Sequence, residues 1–204
     1  MSLEIEPGDS TSTCITKAVF QLMQTTDIDR IAVSDVIRIA KVSRSTFYRY
    51  FDSVDDVVKV FENSLLADLQ TINESALKLR FSSAELEPTA AMISRMETIH
   101  DHREGIVALN GPHGDPTFSH RTMVFMHQYF LRRLKNVPGD ETHRDMYLAF
   151  IIQGHDGLID YWLEKRPDIP AKTVAAMLCR LYYAPLYMDK NSVREQIKFP
   201  EFED

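Results

Sequence analysis

Apolar positions recur at helical spacing almost from end to end of the chain. Ile15, Ala18, Val19, Leu22 and Met23 form a first stripe, with Ser12 or Thr13 placed to cap it. Val33, Val36, Ile37 and Ala40 repeat the pattern over a shorter stretch, and Ser43 is a good N-cap for a segment from Arg44 to Phe51. Ser53, with Asp56 three residues on, resembles a capping box and opens a long stripe: Val57, Val58, Phe61, Leu65, Leu69, Ile72. This predicts three short helices and one long one by about residue 79. A further helix is expected from about Pro88 to His102, and a short one through Ile106 to Leu109. Gly111-Pro112-His113-Gly114 reads as a turn, after which Asp115 and Pro116 open a helix to about Lys135. Pro138-Gly139 breaks it, and Asp140 begins a helix bearing Tyr147, Phe150, Ile151, Leu158, Tyr161 and Trp162. Pro167 ends that helix, and Pro170 opens a last one with Val174, Met177, Leu178, Leu181 and Tyr182. No alternating strand pattern competes, so the expected fold is all-α with about nine helices.

The charge distribution changes how this pattern is read. The 204 residues carry a net charge of −7, which by itself argues against a polyanionic partner. Between Thr11 and Phe51, however, six basic residues face three acidic ones, leaving 17 basic and 27 acidic residues elsewhere. A small basic module on an acidic body is compatible with local binding to a polyanion. Cys14 and Cys179 stand far apart with no Cys/His cluster, so neither a disulfide framework nor a zinc site is expected. No apolar run is long enough to span a membrane and Met1 to Ser10 has no signal-peptide core, so the expected location is the cytoplasm.

The chemistry is concentrated in VSDVIRIAKVSRSTFYRYF, from Val33 to Phe51. Two short helices around a turn of about four residues make a helix-turn-helix. In the second, Phe47 and Phe51 point inward with Val42, leaving Arg44, Ser45, Thr46, Tyr48, Arg49 and Tyr50 on the outer face and flanks. Hydroxyl, phenol and guanidinium groups on one short helix can hold phosphates and read base edges in a major groove. A merely solvated helix would leave two exposed tyrosines beside two arginines unexplained. Residues 15–58, with VS-x-x-T-x-Y-x-YF and a helix opening at Ser53, resemble the DNA-binding domain of the tetracycline-repressor (TetR) family of bacterial transcription regulators. The resemblance implies that Ser43, Thr46, Tyr48 and Tyr50 hold phosphates and that Arg44, Ser45 and Arg49 read bases. It also implies that Ser34 touches the DNA backbone. The chain departs from the family where Asp27, Lys41 and Ser45 replace glycine and Val54 replaces lysine.

The resemblance further implies a homodimer and a variable helical second domain whose last two long helices form a four-helix bundle between subunits. Phe150, Ile151, Gly154, Leu158, Trp162, Val174, Met177, Leu178 and Leu181 are the expected interface, with Gly154 and Gly157 permitting close approach. The string GHDGLIDYWLEKRPDIPA is similar to the C-terminal type of regulators related to the dihydroxyacetone-kinase operon activator. The expected organisation is a DNA-binding domain at 11–58, an effector and dimerisation domain at 59–188, and loose tails at 1–10 and 189–204. Phe61, Leu65, Met92, Met96, His100, Met123, Met126, His127, Phe130 and Tyr147, with Phe125, are candidates to line an effector cavity, although each also suits an ordinary core. The long helix from Val54 is expected to pass a ligand's effect to the recognition helix.

His100 with His102, and His120 with His127, lack the spacing that presents rings to one ion, so no metal is expected. No GxSxG elbow, HExxH helix or phosphate-cradling glycine loop occurs, so neither a catalytic role nor a cofactor is expected. The functional expectation is a ligand-responsive repressor that binds a palindromic operator. A helical ligand-binding protein without operator recognition is the alternative.

Overall fold

The computed structural model describes residues 3–77, 87–133 and 141–187. Among them are nine α-helices and one 3-10 turn, and no strand. The chain order is α1 (Thr11–Leu22), the 3-10 turn (Ile28–Arg30), α2 (Val33–Ala40), α3 (Arg44–Tyr50) and α4 (Val54–Leu77). It continues through α5 (Ala90–Asp101), α6 (Arg103–Asn110), α7 (Phe118–Arg133), α8 (Glu141–Lys165) and α9 (Ala171–Tyr187). The expected break at Pro138-Gly139, the start at Asp140 and the tail at 189–204 lie outside the described residues.

Local chemistry sets the starts of the helices. The Ser43 hydroxyl accepts the Thr46 N–H at 3.0 Å and caps α3 as its position predicts. At α4 the Ser53 hydroxyl accepts the Asp56 N–H at 3.1 Å, but Asp56 reaches back to the N–H of Asp52, one residue before the cap. The cap of α1 is Ser10, not Ser12 or Thr13: its hydroxyl accepts the Thr13 N–H at 3.1 Å. That earlier start is fixed by the preceding residues. Buried Lys17 donates to the Asp9 carboxylate at 2.6 Å and to the Glu4 carbonyl at 2.8 Å. Residues 3–10 are therefore held along α1, where a loose tail was expected. Helix α7 begins at Phe118 rather than at Pro116, because Asp115 takes the N–H and hydroxyl of Thr117 in a turn just before it.

Packing around α4 joins the two halves. Helix α1 lies against α2 and α4, while α5 is packed between α4 and α9. Phe20 of α1 meets Phe61 of α4 edge-on, with ring centroids 4.8 Å apart. Helix α6 presses on this pair through Gly105, where a Cβ would overlap the Phe61 ring and stand 2.9 Å from Phe20. A second tie runs through the α6–α7 turn. Its His113 ring bonds the Asp27 carboxylate at 2.7 Å, and its carbonyl accepts the Ile28 N–H at 3.2 Å. Asp27, one of the departures from family glycine, thus links the helix-turn-helix to the C-terminal half.

Candidate nucleic-acid interface and ligand cavity

Helix α2 ends in the left-handed conformation at Lys41, with φ of 55°, and Val42 N–H closes back onto the Ile37 carbonyl at 3.1 Å. This reversal sets the direction of α3. Phe47 and Phe51 anchor α3 in the core, which leaves its other face in solvent. Tyr48 and Tyr50 are 45% and 44% exposed, high values for residues so large. Ser34, Ser43, Arg44, Ser45 and Arg49 are also exposed, and Thr46 is half-buried. The Ser43 hydroxyl lies 2.9 Å from that of Ser45 and 2.8 Å from that of Thr46.

Each arginine stands over a tyrosine. The Arg44 guanidinium is 5.6 Å from the Tyr48 ring centre and bonds its hydroxyl at 3.4 Å, while Arg49 is 5.1 Å from the Tyr50 ring. Neither arginine meets a carboxylate among the described residues; the neighbouring Arg38, by contrast, pairs with Asp35 at 3.2 Å. Two guanidinium groups propped on aromatic rings and free of acidic partners can turn toward phosphate or a guanine edge. Val54 is buried and serves the core, so nothing cationic replaces the family lysine there.

The C-terminal half forms a partly open cavity of about 360 Å³ between α4, α6, α7 and α8. Of the residues expected around an effector, Leu65, Met123, Met126 and Phe125 line it. The others do not. Phe61 packs on Phe20, Met96 is fully buried, and Phe130 lies edge-on to Tyr182. His100 stacks on Trp162 at 5.3 Å and bonds the Pro167 carbonyl at 3.1 Å. Tyr147 donates to the Tyr182 carbonyl, Met92 borders a minor crevice beside Arg95, and His127 is exposed on α7 next to Val124 and Leu131. His102 is occupied with the Thr98 carbonyl at 2.8 Å.

Sequence reading missed the polar wall formed by Asn110, Ser119, Asp156 and Asp160. Its signal was present: two aspartates four apart on an otherwise apolar stretch of α8. Asp160 accepts Asn110 Nδ2 at 2.9 Å, and Asn110 Oδ1 accepts the Ser119 hydroxyl at 2.9 Å. Burial and the neighbouring Asp160 push Asp156 up to about 6, and burial raises Asp160 as well. Burial, aided by the charge of Arg95, pushes His155 down to about 3, so its ring is neutral; Nδ1 bonds the Tyr182 hydroxyl. Leu65 and Leu69 of α4 reach this cavity, and only Phe51, Asp52 and Ser53 separate the same helix from the end of α3.

The residues expected at a subunit interface separate into two groups. Phe150 is 71% exposed, and Met177, Leu181 and Gly154 also face solvent, with Leu158 half-buried. Ile151, Trp162, Val174 and Leu178 instead pack inside the chain's own core, on the opposite side of their helices. Met146 and Tyr161 take their place on the exposed stripe. A Cβ added at Gly154 or Gly157 would meet nothing within 4 Å.

Comparison with known proteins agrees with this architecture. Residues 87–183 match the TetR-type family described as the transcriptional regulator C-terminal region. The HTH-type dhaKLM operon transcriptional activator DhaS of Lactococcus lactis subsp. lactis (strain IL1403) is 41% identical over 62 residues, 30% of this chain and 33% of that protein. The match thus spans a third of the relative's length. Among solved structures, the TetR-family regulator PfmR from Thermus thermophilus superposes with a TM-score of 0.59 at 15% identity, covering 86% of this chain and 96% of that one. The dihydroxyacetone kinase operon activator DhaS superposes at 0.57 and 17% identity with the same coverage. Among the described residues no helix is long and apolar enough to cross a membrane. A helix-turn-helix at one end thus joins a C-terminal region, residues 87–183, that matches a TetR-type family of transcriptional regulators, and the chain shares the fold of solved TetR-family regulators.

Proposed function

We propose that this regulator is a cytoplasmic homodimeric repressor that binds a palindromic operator through α3 and responds to a small molecule held in the 360 Å³ cavity. In this reading residues 11–58 bind DNA and 59–188 bind the effector and the second subunit. The observation that carries it is the face of α3, where Arg44 and Arg49 stand over Tyr48 and Tyr50 with no acidic partner among the described residues. Arg49 and Arg44, with Ser45, read bases. Ser34, Ser43, Thr46, Tyr48 and Tyr50 hold phosphates. A ligand-binding protein without operator recognition would have no use for this face.

The dimer follows from α8 and α9. Met146, Phe150 and Tyr161 on α8, and Met177 and Leu181 on α9, leave large apolar side chains in water, and the open space over Gly154 and Gly157 admits a second helix. Two-fold symmetry then spaces the recognition helices about 34–36 Å apart or somewhat more, one turn of duplex. Occupancy of an operator that overlaps a promoter blocks transcription, which gives repression as the output.

The test is a gel shift and footprint on the DNA flanking the chain's own gene, combined with a reporter. A symmetric protected site and a reporter that falls in the chain's presence are expected. A folded dimer that binds no such fragment at low salt contradicts operator recognition, and a reporter that rises contradicts repression.

A further inference from the structure

The charge lining the cavity is one-sided. Leu65, Leu69, Ile99, Ile106, Phe118 and Met126 give it an apolar wall, and Asp156 and Asp160 stand together on its α8 side. Among the described residues, no lysine or arginine lines it. Its histidine, His155, is neutral. Arg95, the buried guanidinium whose charge acts on His155, lies 4.2 Å from the Tyr129 ring centre and bonds Asn73, and it is not part of the lining.

The two carboxylates differ in how they are satisfied. Asp160 has Asn110, whose amide orientation is fixed by Ser119. Asp156, one turn earlier, has no hydrogen-bond or ion-pair partner among the described residues, although it is half-buried and faces a second acid. A half-buried carboxylate beside a second acid costs free energy that a positive group placed against it would relieve. Among the described lining residues there is none. An anionic ligand would add to the repulsion, and a neutral apolar one would desolvate Asp156 further with nothing in return.

Taking the chain as a ligand-responsive regulator, we propose that the cavity binds an organic cation, with a protonated amine or quaternary ammonium head against Asp156 and Asp160 and an aliphatic or aromatic body along Leu65, Leu69, Ile106 and Phe118. The volume lies near the lower end of small-molecule pockets, which suits a compact amphiphile with a single charge.

Decylammonium, decanol and decanoate each carry a ten-carbon chain and present a cationic, a neutral and an anionic head, so they isolate the head group. Calorimetric titration of the full-length chain with each, below micelle formation and near pH 8 where Asp156 is ionised, tests the proposal. Decylammonium is expected to bind at least about ten-fold more tightly than the other two, and Asp156→Asn to erase that preference. Asp160→Asn provides a second variant should Asp156→Asn fold poorly, and it should lower the preference too. Equal or tighter binding of decanoate, no binding of decylammonium to the folded chain, or an undiminished preference in both variants would overturn the proposal. These titrations contain no DNA, so a failed operator gel shift counts against the regulatory reading alone.

Discussion

Lys41 holds the turn between α2 and α3 at φ of 55°, where a β-carbon crowds the following carbonyl. The sequence marks this site as a departure from family glycine, but only the backbone shows why glycine is preferred there. Lys41→Gly should raise stability by about 0.5–1 kcal/mol, because the relieved strain exceeds the added freedom of the unfolded chain. Urea denaturation reads this directly, and a destabilised variant would contradict it. Asp156 carries a different kind of cost. Its carboxyl rises from 3.8 to about 6 on folding, so the folded chain binds the extra proton between those values. Stability contributed by this group is therefore intact below about pH 4 and declines as pH rises toward 6. Asp156→Asn should flatten that part of the profile and raise the melting temperature at neutral pH, measured without ligand. An unchanged or lower melting temperature would show that Asp156 is compensated inside the fold.

Among the elements, α3 was the most legible. A good cap at Ser43 and two phenylalanines four apart define its start and its buried face from sequence alone, and the structure keeps both. Helix α8 was the least legible. Apolar residues occur all round it, so a 3.6-residue period cannot tell the chain's own core from a second apolar face. Ile151 and Trp162 turn inward while Phe150 and Tyr161 turn outward, and the packing of neighbouring helices, α6 and α7 among them, decides between them. The cavity shares this difficulty. Its methionines and aromatics look like core residues, and whether each meets a void depends on how α4, α6 and α7 close around it. Gly105 shows how tight that closure is. Gly105→Ala would drive a methyl group into the Phe61 and Phe20 rings at the junction of α1, α4 and α6. A loss of about 1–3 kcal/mol is expected in chemical denaturation. A neutral result would mean that α6 moves away from α4 more freely than this contact implies.

For the whole molecule, the exposed stripes on α8 and α9 carry the claim of a dimer. An obligate interface of this type buries about 2,000 Å² or more, and a charge placed at its centre is not tolerated. Phe150→Glu should therefore give a folded monomer by sedimentation at micromolar concentration and lose operator binding, since a single half-site is a poor anchor. A dimeric Phe150→Glu chain would place the subunit contact elsewhere. The central claim, that α3 reads sequence, is tested most directly by titrating wild-type and Arg49→Ala protein against the operator and against random duplex at one salt concentration. Loss of a bidentate guanine contact should cost about 1–3 kcal/mol on the operator and much less on random DNA, so that the selectivity ratio falls. Equal weakening on both DNAs would contradict the account, because Arg49 would then hold only phosphate.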